Sequence, residues 1–398
     1  MLSELKKFWN ELHVKILALL VILVSIIVSI APIRSFSVIE SPDSTSRIKG
    51  RAAIHVMKER YKNSKGELSS SKINEVLSYL QSISSSELAY LKSDIKYPSI
   101  VNLLSLAYSP NNPEKGVNLQ TMKNVDDFYN RNTIKIEEIL NNSPDDYKSW
   151  EKAAILERAK SIERPFVIDF SRQWVEVYKS LTILFVIISI SAIVVGSRLF
   201  SYEKEKNMDM ILVTFGDKRL QRIGKNKISA LLTFLTIEFL IGVLIVSTIV
   251  FSTSGIDGWS SQIQIQFFTS IYHLTFGGAY LLFLFMGWIS IMAIGTLVGT
   301  INSFMEKSYA SLVAGFLVVF LPAVMMRFDS LPIYIRKFFK VQPVNGFMTI
   351  GNILSLQMFK LFFIKSLTTT AIIFYSIIIL IVCVLITPRL FSSRMKNA

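Results

Sequence analysis

One acidic residue, Glu238, lies in the middle of a long apolar run, TFLTIEFLIG, and is well placed to do chemistry. A carboxylate at the centre of a bilayer costs about 2.5 kcal/mol or more, so Glu238 should face the interior of a helix bundle or a water-filled path. There it could bind a proton, a cation or the headgroup of a substrate. The alternative is a structural hydrogen bond to a Ser, Thr or Tyr side chain or to His273.

The second feature is the densest run of charge in the chain, from Ser201 to Lys227. Apolar residues recur within it at the i, i+3, i+4, i+7 spacing that places them on one helical face, at Met208, Ile211, Leu212 and Phe215. Such a face can fill a groove on a protein partner or lie on a lipid surface. The charged residues that could set the register of docking are Glu203, Glu205, Asp209, Lys218, Arg219 and Arg222.

Residues for most other chemistries are missing from the sequence. The chain has one cysteine, Cys383, and three histidines that lie far apart, so neither a disulfide within the chain nor a cysteine-based metal site can form. It lacks HExxH, GxSxG and the G-x-x-x-x-G-K-[ST] loop that binds ATP phosphates. We therefore expect no catalytic residue, no metal site and no cofactor in this chain.

The composition predicts a membrane protein. Hydrophobic residues make up 51% of the 398 residues, and the mean hydropathy is +0.44, which is too apolar for a typical soluble protein. The formal net charge of +14 then indicates anionic lipid and basic cytoplasmic loops. Nucleic-acid binding is not expected, because no basic motif of that kind is present.

Six apolar stretches are long enough to cross a bilayer, which takes about 20 residues each. We predict an all-α membrane protein with spans at 14–32, 178–199, 228–251, 275–299, 310–326 and 367–387. The first stretch could instead be a cleaved signal peptide. Its apolar core is long and its best small-residue site is followed by Pro32, so we interpret it as an uncleaved anchor.

Lysine and arginine in the short loops orient these spans. The loop 200–227 is rich in both, whereas the loop after the third span has neither, so we expect residues 200–227 and both termini, 1–13 and 388–398, in the cytoplasm. The location would be the cell (plasma) membrane. One extracytoplasmic amphipathic segment, 327–366, disagrees with this rule because it carries Arg327, Arg336, Lys337, Lys340, Lys360 and Lys365.

Two regions outside the spans have open roles. Residues 1–13 have an amphipathic pattern and form either a helix in the membrane interface or a positive flank that fixes orientation. Residues 33–177 should form a helical extracytoplasmic domain, which is large enough to have its own core. That domain could handle substrate or gate a pathway, or it could be a structural cap or dimer contact.

The run from Tyr202 to Leu232 resembles the corresponding loop of type-2 ABC exporter permeases. In that family the second span ends in acidic residues, a short amphipathic helix follows, and a Gly-Lys pair opens the third span. Here these elements are Glu203 and Glu205, then Met208 to Phe215, then Gly224-Lys225. The family's usual Gly and Pro are replaced by Asn207 and Gly216-Asp217. The large insert after the first span is similar to that of sodium-efflux and peptide-immunity permeases.

The resemblance implies an exporter permease that moves an amphipathic cargo, such as a peptide, an antibiotic or a lipid-like molecule, by alternating access. Its partners would be an ABC-type ATPase subunit, which binds ATP and Mg and does the hydrolysis, a second permease copy or paralogue, and membrane lipid. The ATPase-coupling residues would be Glu203, Glu205, Met208, Asp209, Ile211, Leu212, Phe215, Lys218 and Arg219. Two alternatives remain: a sodium or proton exporter that uses Glu238, and a non-transporting sensor with a ligand-binding outer domain.

Overall fold

The computed structural model describes residues 2–42, 46–110, 118–122, 125–205, 210, 212, 214–305, 307–328 and 330–397. These residues are mostly helical, as the sequence predicts. The helices are α1 Leu2–Asn10, α2 Leu12–Ser35, α3 Gly50–Ser64, α4 Ser70–Gln81, α5 Ser86–Lys96, α6 Ile100–Tyr108, α7 Phe128–Asn142, α8 Ser149–Lys160, α9 Arg172–Gly196, α10 Tyr202–Glu205, α11 Asp217–Ser254, α12 Phe276–Met305, α13 Ser308–Met325, α14 Ile333–Lys340, α15 Thr349–Ile353 and α16 Thr368–Asn397.

Six of these helices are long and apolar enough to cross a membrane, which agrees with the six predicted stretches. They are α2, α9, α11, α12, α13 and α16, and we call them spans 1 to 6. Spans 2 and 4 bury most of their apolar length and form the centre of the bundle, whereas spans 1, 5 and 6 are mainly exposed. The exposed faces are therefore available to lipid or to another membrane subunit.

Small residues let the central spans approach one another closely. A Cβ atom added to Gly196 of span 2 would lie 3.0 Å from the carbonyl oxygen of Gly295 in span 4. A Cβ atom at Gly295 would lie 2.6 Å from Leu235 of span 3. Glycine removes the side chain that would otherwise hold such helices apart, so this part of the bundle depends on both positions.

Short strand pairs, which the sequence does not predict, interrupt the helical pattern. In the domain between spans 1 and 2, β1 pairs antiparallel with β2 and β3 with β4. A hairpin, β5–β6, leads into span 6. Their bounds are β1 Ser37–Ile39, β2 Arg47–Lys49, β3 Gly66–Glu67, β4 Val167–Ile168, β5 Met358–Leu361 and β6 Ile364–Leu367. The strands are two to four residues long, so the all-α description stands.

The connections after spans 1, 3 and 5 gather at one end of the bundle, which we call the domain end. Asn132 of α7 donates a hydrogen bond to the carbonyl of Phe268, which follows span 3. Ser270 in the same connection donates to the carbonyl of Ile353, which follows span 5, over 3.0 Å. The connections after spans 2 and 4 lie at the opposite, terminal end with both chain termini, because Arg198 contacts His13 and Asp217 pairs with Lys396.

Ion pairs at the domain end engage two basic residues of the segment that disagrees with the charge rule. Arg336 Nη2 lies 2.5 Å from Asp146 Oδ1, and Lys337 pairs with Glu151. Both acidic partners belong to the domain between spans 1 and 2. Two of the three positive charges of α14 are therefore paired with acidic residues of that domain in the folded protein.

The helix of span 3 begins earlier than the apolar stretch does. We predict a loop to residue 227, but α11 starts at Asp217 and its first turns carry Lys218 and Arg222. Gly216 precedes it with φ −68° and ψ 158°, an ordinary extended conformation. The first turns of α11 are thus exposed on their basic side, while Leu220 and Gly224 on the other side are buried.

Candidate functional site

A buried ion pair lies at the terminal end, where span 2 leads into α10. Lys227 Nζ lies 2.5 Å from Glu203 Oε2 and 2.7 Å from the carbonyl oxygen of Leu199. The two side chains are 2% and 5% exposed. The aromatic rings of Phe200 and Phe391 flank the ammonium group. A buried charge is tolerated when it is paired and hydrogen-bonded in this way.

Asn302 of span 4 binds the backbone at the same turn. Its Oδ1 accepts hydrogen bonds from the amides of Phe200, over 2.6 Å, and Ser201, over 3.2 Å. Its Nδ2 donates to Ser311 of span 5 over 3.1 Å. Arg394 of span 6 donates to the carbonyl of Phe200 over 2.9 Å. Polar groups left free where span 2 ends are thus satisfied by spans 4 and 6.

We call Glu203, Lys227, Asn302 and Arg394 the joint. They come from α10, α11, α12 and α16, and their hydrogen bonds converge on residues 199–203. A displacement of residues 199–203 would therefore act on spans 2, 3, 4 and 6 together.

Glu205 extends this network to span 5 and toward the N-terminus. Its Oε2 lies 2.7 Å from Arg198 Nη2, and its Oε1 accepts a hydrogen bond from the Ser308 hydroxyl. Arg198 also contacts His13 Nδ1 at 3.1 Å. Partial burial alone would raise the pKa of Glu205, but the hydrogen bonds from Ser308 and Arg198 outweigh it, so the pKa lies below its ordinary value. The carboxylate is held in its charged form.

Of the two acidic residues that the sequence places at a partner surface, Glu203 faces the bundle instead, whereas Glu205 is exposed. Glu203 is 4% exposed and cannot contact another protein without leaving Lys227. Glu205 is engaged by Arg198 and Ser308. Sequence reasoning missed Lys227, Asn302 and Arg394, although a lysine directly before an apolar span was one available signal.

The amphipathic segment itself is described only in part, since three of its predicted contact residues lie outside the described residues: Met208, Asp209 and Ile211. Met210 and Leu212 are helical. Leu212 and Phe215 are half-buried against the core, and Arg219 stacks over the Phe215 ring at 3.8 Å. Met210 is 78% exposed. Part of this apolar surface is therefore already covered by the chain and part of it faces outward.

A basic face lies beside that segment on the first turns of α11. Lys218, Arg222 and Lys225 follow i, i+4, i+7 spacing on one helical side, and all three are exposed. Arg219, predicted for the same role, is exposed too. On the opposite side, a Cβ atom at Gly224 would lie 3.1 Å from Pro388 Cα. Gly224 thus lets α11 pack closely on span 6 while the basic face points away.

Glu238 links spans 2 and 3 within the bundle. Its Oε1 accepts a hydrogen bond from Ser191 Oγ over 3.0 Å, and the residue is 4% exposed. Its Oε2 has no hydrogen-bond partner among the described residues. The expected alternative through His273 is wrong, because that ring lies at the domain end, 2.9 Å from the carbonyl oxygen of Arg158. The predicted hydrogen bond to a serine is present, with Ser191, and within the described part of the chain Oε2 of Glu238 is left without a hydrogen bond.

Glu238 lines a cavity of about 430 Å³ between α1, span 1 and span 3. Leu5 and Trp9 of α1 lie on one side, and Val21 and Phe234 lie on the spans. The lining is almost wholly apolar apart from Glu238 and Lys6. Among the described residues no group of three or more His, Cys, Asp or Glu could hold a metal ion. This cavity suits an apolar or amphipathic molecule.

No protein-family model matches the chain, and neither a curated protein nor a solved structure matches it. Three features of the molecule itself therefore bear on its function. They are the joint, the basic face of α11 and the buried carboxylate of Glu238.

Proposed function

We propose that the chain is the membrane subunit of an ATP-driven exporter of the type-2 ABC kind, with its terminal end in the cytoplasm. A separate ATPase subunit would bind ATP and Mg and supply the energy. The cargo would be an amphipathic molecule, such as a peptide, an antibiotic or a lipid-like compound, moved outward by alternating access. The chain would act in pairs, with a second permease contacting the exposed faces of spans 1, 5 or 6.

The joint is the observation that carries this proposal. It connects one short segment, residues 199–203 at the end of span 2, to spans 3, 4 and 6 through buried or partly buried polar contacts. An energy-converting partner needs such a connection, because a local push must move several spans at once. A surface loop without these contacts would change its own conformation when the partner moved, and it would transmit no force to the spans.

The neighbouring surface fits a protein partner. Met210 is exposed beside the half-buried Leu212, and Lys218, Arg222 and Lys225 form a basic rim. An apolar centre with a charged rim is the usual arrangement of a helix that docks in a groove. The ATPase surface around that groove is expected to be acidic. Anionic lipid could contact the same face, so the experiment must separate the two.

Site-directed cross-linking makes that separation. The native cysteine, Cys383, is buried, so Cys383→Ser gives a background in which an added Met210→Cys is the one reactive thiol. With a short thiol-reactive photo-cross-linker in native membranes, we expect an adduct with a protein that carries a Walker motif. Lys160→Cys, at the exposed end of α8, is the matched control and should not give this adduct. Adducts of Met210→Cys with phospholipid alone would overturn the proposal.

The uncommitted oxygen of Glu238 favours a second candidate, an exporter that moves protons or a protonated amine. Sodium fits this site less well, because a hard cation prefers several oxygen ligands and the described lining offers one carboxylate among apolar side chains. A proton or an amine needs only one acceptor. Glu238 would then bind the transported group, and the joint would keep the role proposed above.

A further inference from the structure

A larger cleft lies at the domain end, between the domain helices and the start of span 2. Its main cavity has a volume of about 800 Å³, in the range of sites for small molecules and short peptides. A second pocket of about 300 Å³ adjoins it. The two share a wall, which is formed by Ile39, Met57, Leu91, Asp94, Pro98 and Arg172. We call this continuous space the outer cleft.

Among the described residues, six charged side chains line the outer cleft, and two of opposite sign, Asp94 and Arg172, belong to the wall that both pockets share. Of the others, Glu176 pairs with Lys179, Arg60 donates to the backbone carbonyls of Ile39 and Glu40, and Arg47 is exposed. Asp94 of α5 is reached by water from the cleft, yet the protein around it raises its pKa by burial, against the opposing effects of Arg172, the Ser99 amide and Arg60. Arg172 stacks over the ring of Phe36 at 5.3 Å. Neither Asp94 nor Arg172 forms an ion pair with another described residue. Both charges are positioned by the fold and remain available to a ligand.

The floor of the cleft is conformationally strained. Ser99 has φ 67°, in the left-handed region that residues other than glycine seldom adopt. The Tyr61 hydroxyl, itself buried, is hydrogen-bonded to the Ser99 side chain and fixes this turn. Strained residues cluster at ligand sites, where the surrounding structure maintains them. The surface that contains Asp94 and Ser99 is therefore held in a fixed conformation by the surrounding structure.

Apolar side chains form the rest of the wall. Met57, Leu91 and Val175 are partly buried and face the cavity. Asn102 is exposed at the rim and can donate a hydrogen bond to a carbonyl oxygen. A lipid tail would leave Asp94 and Arg172 without partners, and a sugar would leave the apolar wall uncovered. A peptide has an amine, carbonyl oxygens and apolar side chains, which match all three kinds of surface.

We propose that the outer cleft binds the amino-terminal end of a short apolar peptide. The peptide's ammonium group would pair with Asp94, its carbonyl oxygens would accept hydrogen bonds from Arg172 and Asn102, and its side chains would cover Met57 and Leu91. Arg172 and Val175 lie in the first turn of α9, so the bound peptide contacts span 2 directly. The inference does not depend on ATP-driven transport, because binding is measurable on this chain alone.

The test uses the full chain in lipid nanodiscs and two pools of fluorescent hexapeptides rich in Leu and Phe. One pool has a free amino terminus and the other is N-acetylated, with the fluorophore at the carboxyl end of both. We expect the free pool to bind at least about tenfold more tightly, since its ammonium group can form a charge-assisted hydrogen bond with Asp94 that the acetylated pool cannot form. Equal binding of the two pools, or binding of neither, would overturn the proposal.

Variants assign the effect to the cleft. Asp94→Asn should remove the preference for the free amine, whereas Glu59→Gln, at an exposed carboxylate that pairs with Lys62, should retain it. Asn102→Arg adds bulk and positive charge at an exposed rim position and should weaken binding of the free pool even if Asp94→Asn folds poorly. If either cleft variant binds the peptides as the wild type does, the site lies elsewhere and the assignment is wrong.

Discussion

Lys227 and Glu203 are 24 residues apart in the sequence, and their side chains meet over 2.5 Å in a place that water barely reaches. The pair fastens the segment after span 2 to the base of span 3. Because Asn302 and Arg394 bind the same turn from spans 4 and 6, the connection is shared by most of the bundle.

Breaking this pair on one side should destabilise the protein strongly. Lys227→Met leaves Glu203 buried without its cation, and such a change typically costs about 3–5 kcal/mol. Replacing both residues, as Glu203→Gln with Lys227→Met, should recover a large part of that loss because no unpaired charge remains. Thermal unfolding in detergent micelles, analysed as a double-mutant cycle, measures the coupling.

The exposed pair of Asp217 and Lys396 at the same end is the control for that cycle. Its side chains are 48% and 53% exposed, so Lys396→Met should cost much less stability than Lys227→Met, because water screens the pair. Equal losses from Lys227→Met and Lys396→Met would contradict the description of the joint as buried.

Gly258→Ala should loosen the contact between the connection after span 3 and the domain between spans 1 and 2. Gly258 has φ +72°, and an added Cβ atom would lie 2.5 Å from the Phe170 carbonyl oxygen. We expect a loss of about 1–3 kcal/mol, measured by thermal unfolding. The control is Gly216→Ala, since Gly216 has an ordinary φ and open space around it. A similar loss at Gly216 would mean that glycine replacement itself, and not the close contact, is responsible.

Glu238→Gln should separate the structural and functional roles of this residue. An amide can keep the hydrogen bond to Ser191, so stability should change by less than about 1.5 kcal/mol. It cannot bind a proton or pair with an amine, so export should fall and lose its pH dependence. Export into proteoliposomes over a range of pH measures this, with Ser191→Ala as the control for the bond alone. Wild-type rates with unchanged pH dependence would remove Glu238 from the pathway.

The lowered pKa of Glu205 predicts that the terminal end of the protein loses stability at acidic pH. Its folded-state pKa lies below the ordinary value of 4.5, so the charged form stabilises the fold. That contribution is present above about pH 4.5 and is lost as the pH falls through the folded-state pKa. Glu205→Gln should therefore be less stable than wild type near neutral pH, with the gap narrowing on acidification. A gap that is constant with pH would show that the carboxylate's charge is not involved.

Labelling from one side of the membrane tests the predicted orientation. In the Cys383→Ser background, a membrane-impermeant thiol reagent added to intact cells should label Lys160→Cys at the exposed end of α8. It should not label Lys218→Cys on the basic face of α11. Permeabilised cells, in which both should react, provide the control. The reverse pattern would place the basic face of α11 outside the cell. A cytoplasmic ATPase could then not contact it, and the proposed docking surface would be wrong.

The six spans were predictable because each depends on a local property, an apolar run longer than about 18 residues. The joint was not, because it depends on tertiary contacts. From the sequence, Glu203 is predicted to be a solvent-exposed acid in a charged loop. Its contact with Lys227 forms only when the chain folds. Arg336 and Asp146 are 190 residues apart, so their pairing could not be predicted from the segment's own residues.

Between the outer cleft and the joint, α9 runs without a break for 25 residues, about 37 Å at 1.5 Å per residue. Its central residues, among them Leu184, Phe185 and Ile188, are fully buried, so we expect its middle to move less than its ends. A stiff helix that tilts about its middle moves its two ends in opposite directions. Under such a tilt, a pull at Gly196, where α9 ends, would move Arg172 at its other end in the opposite direction.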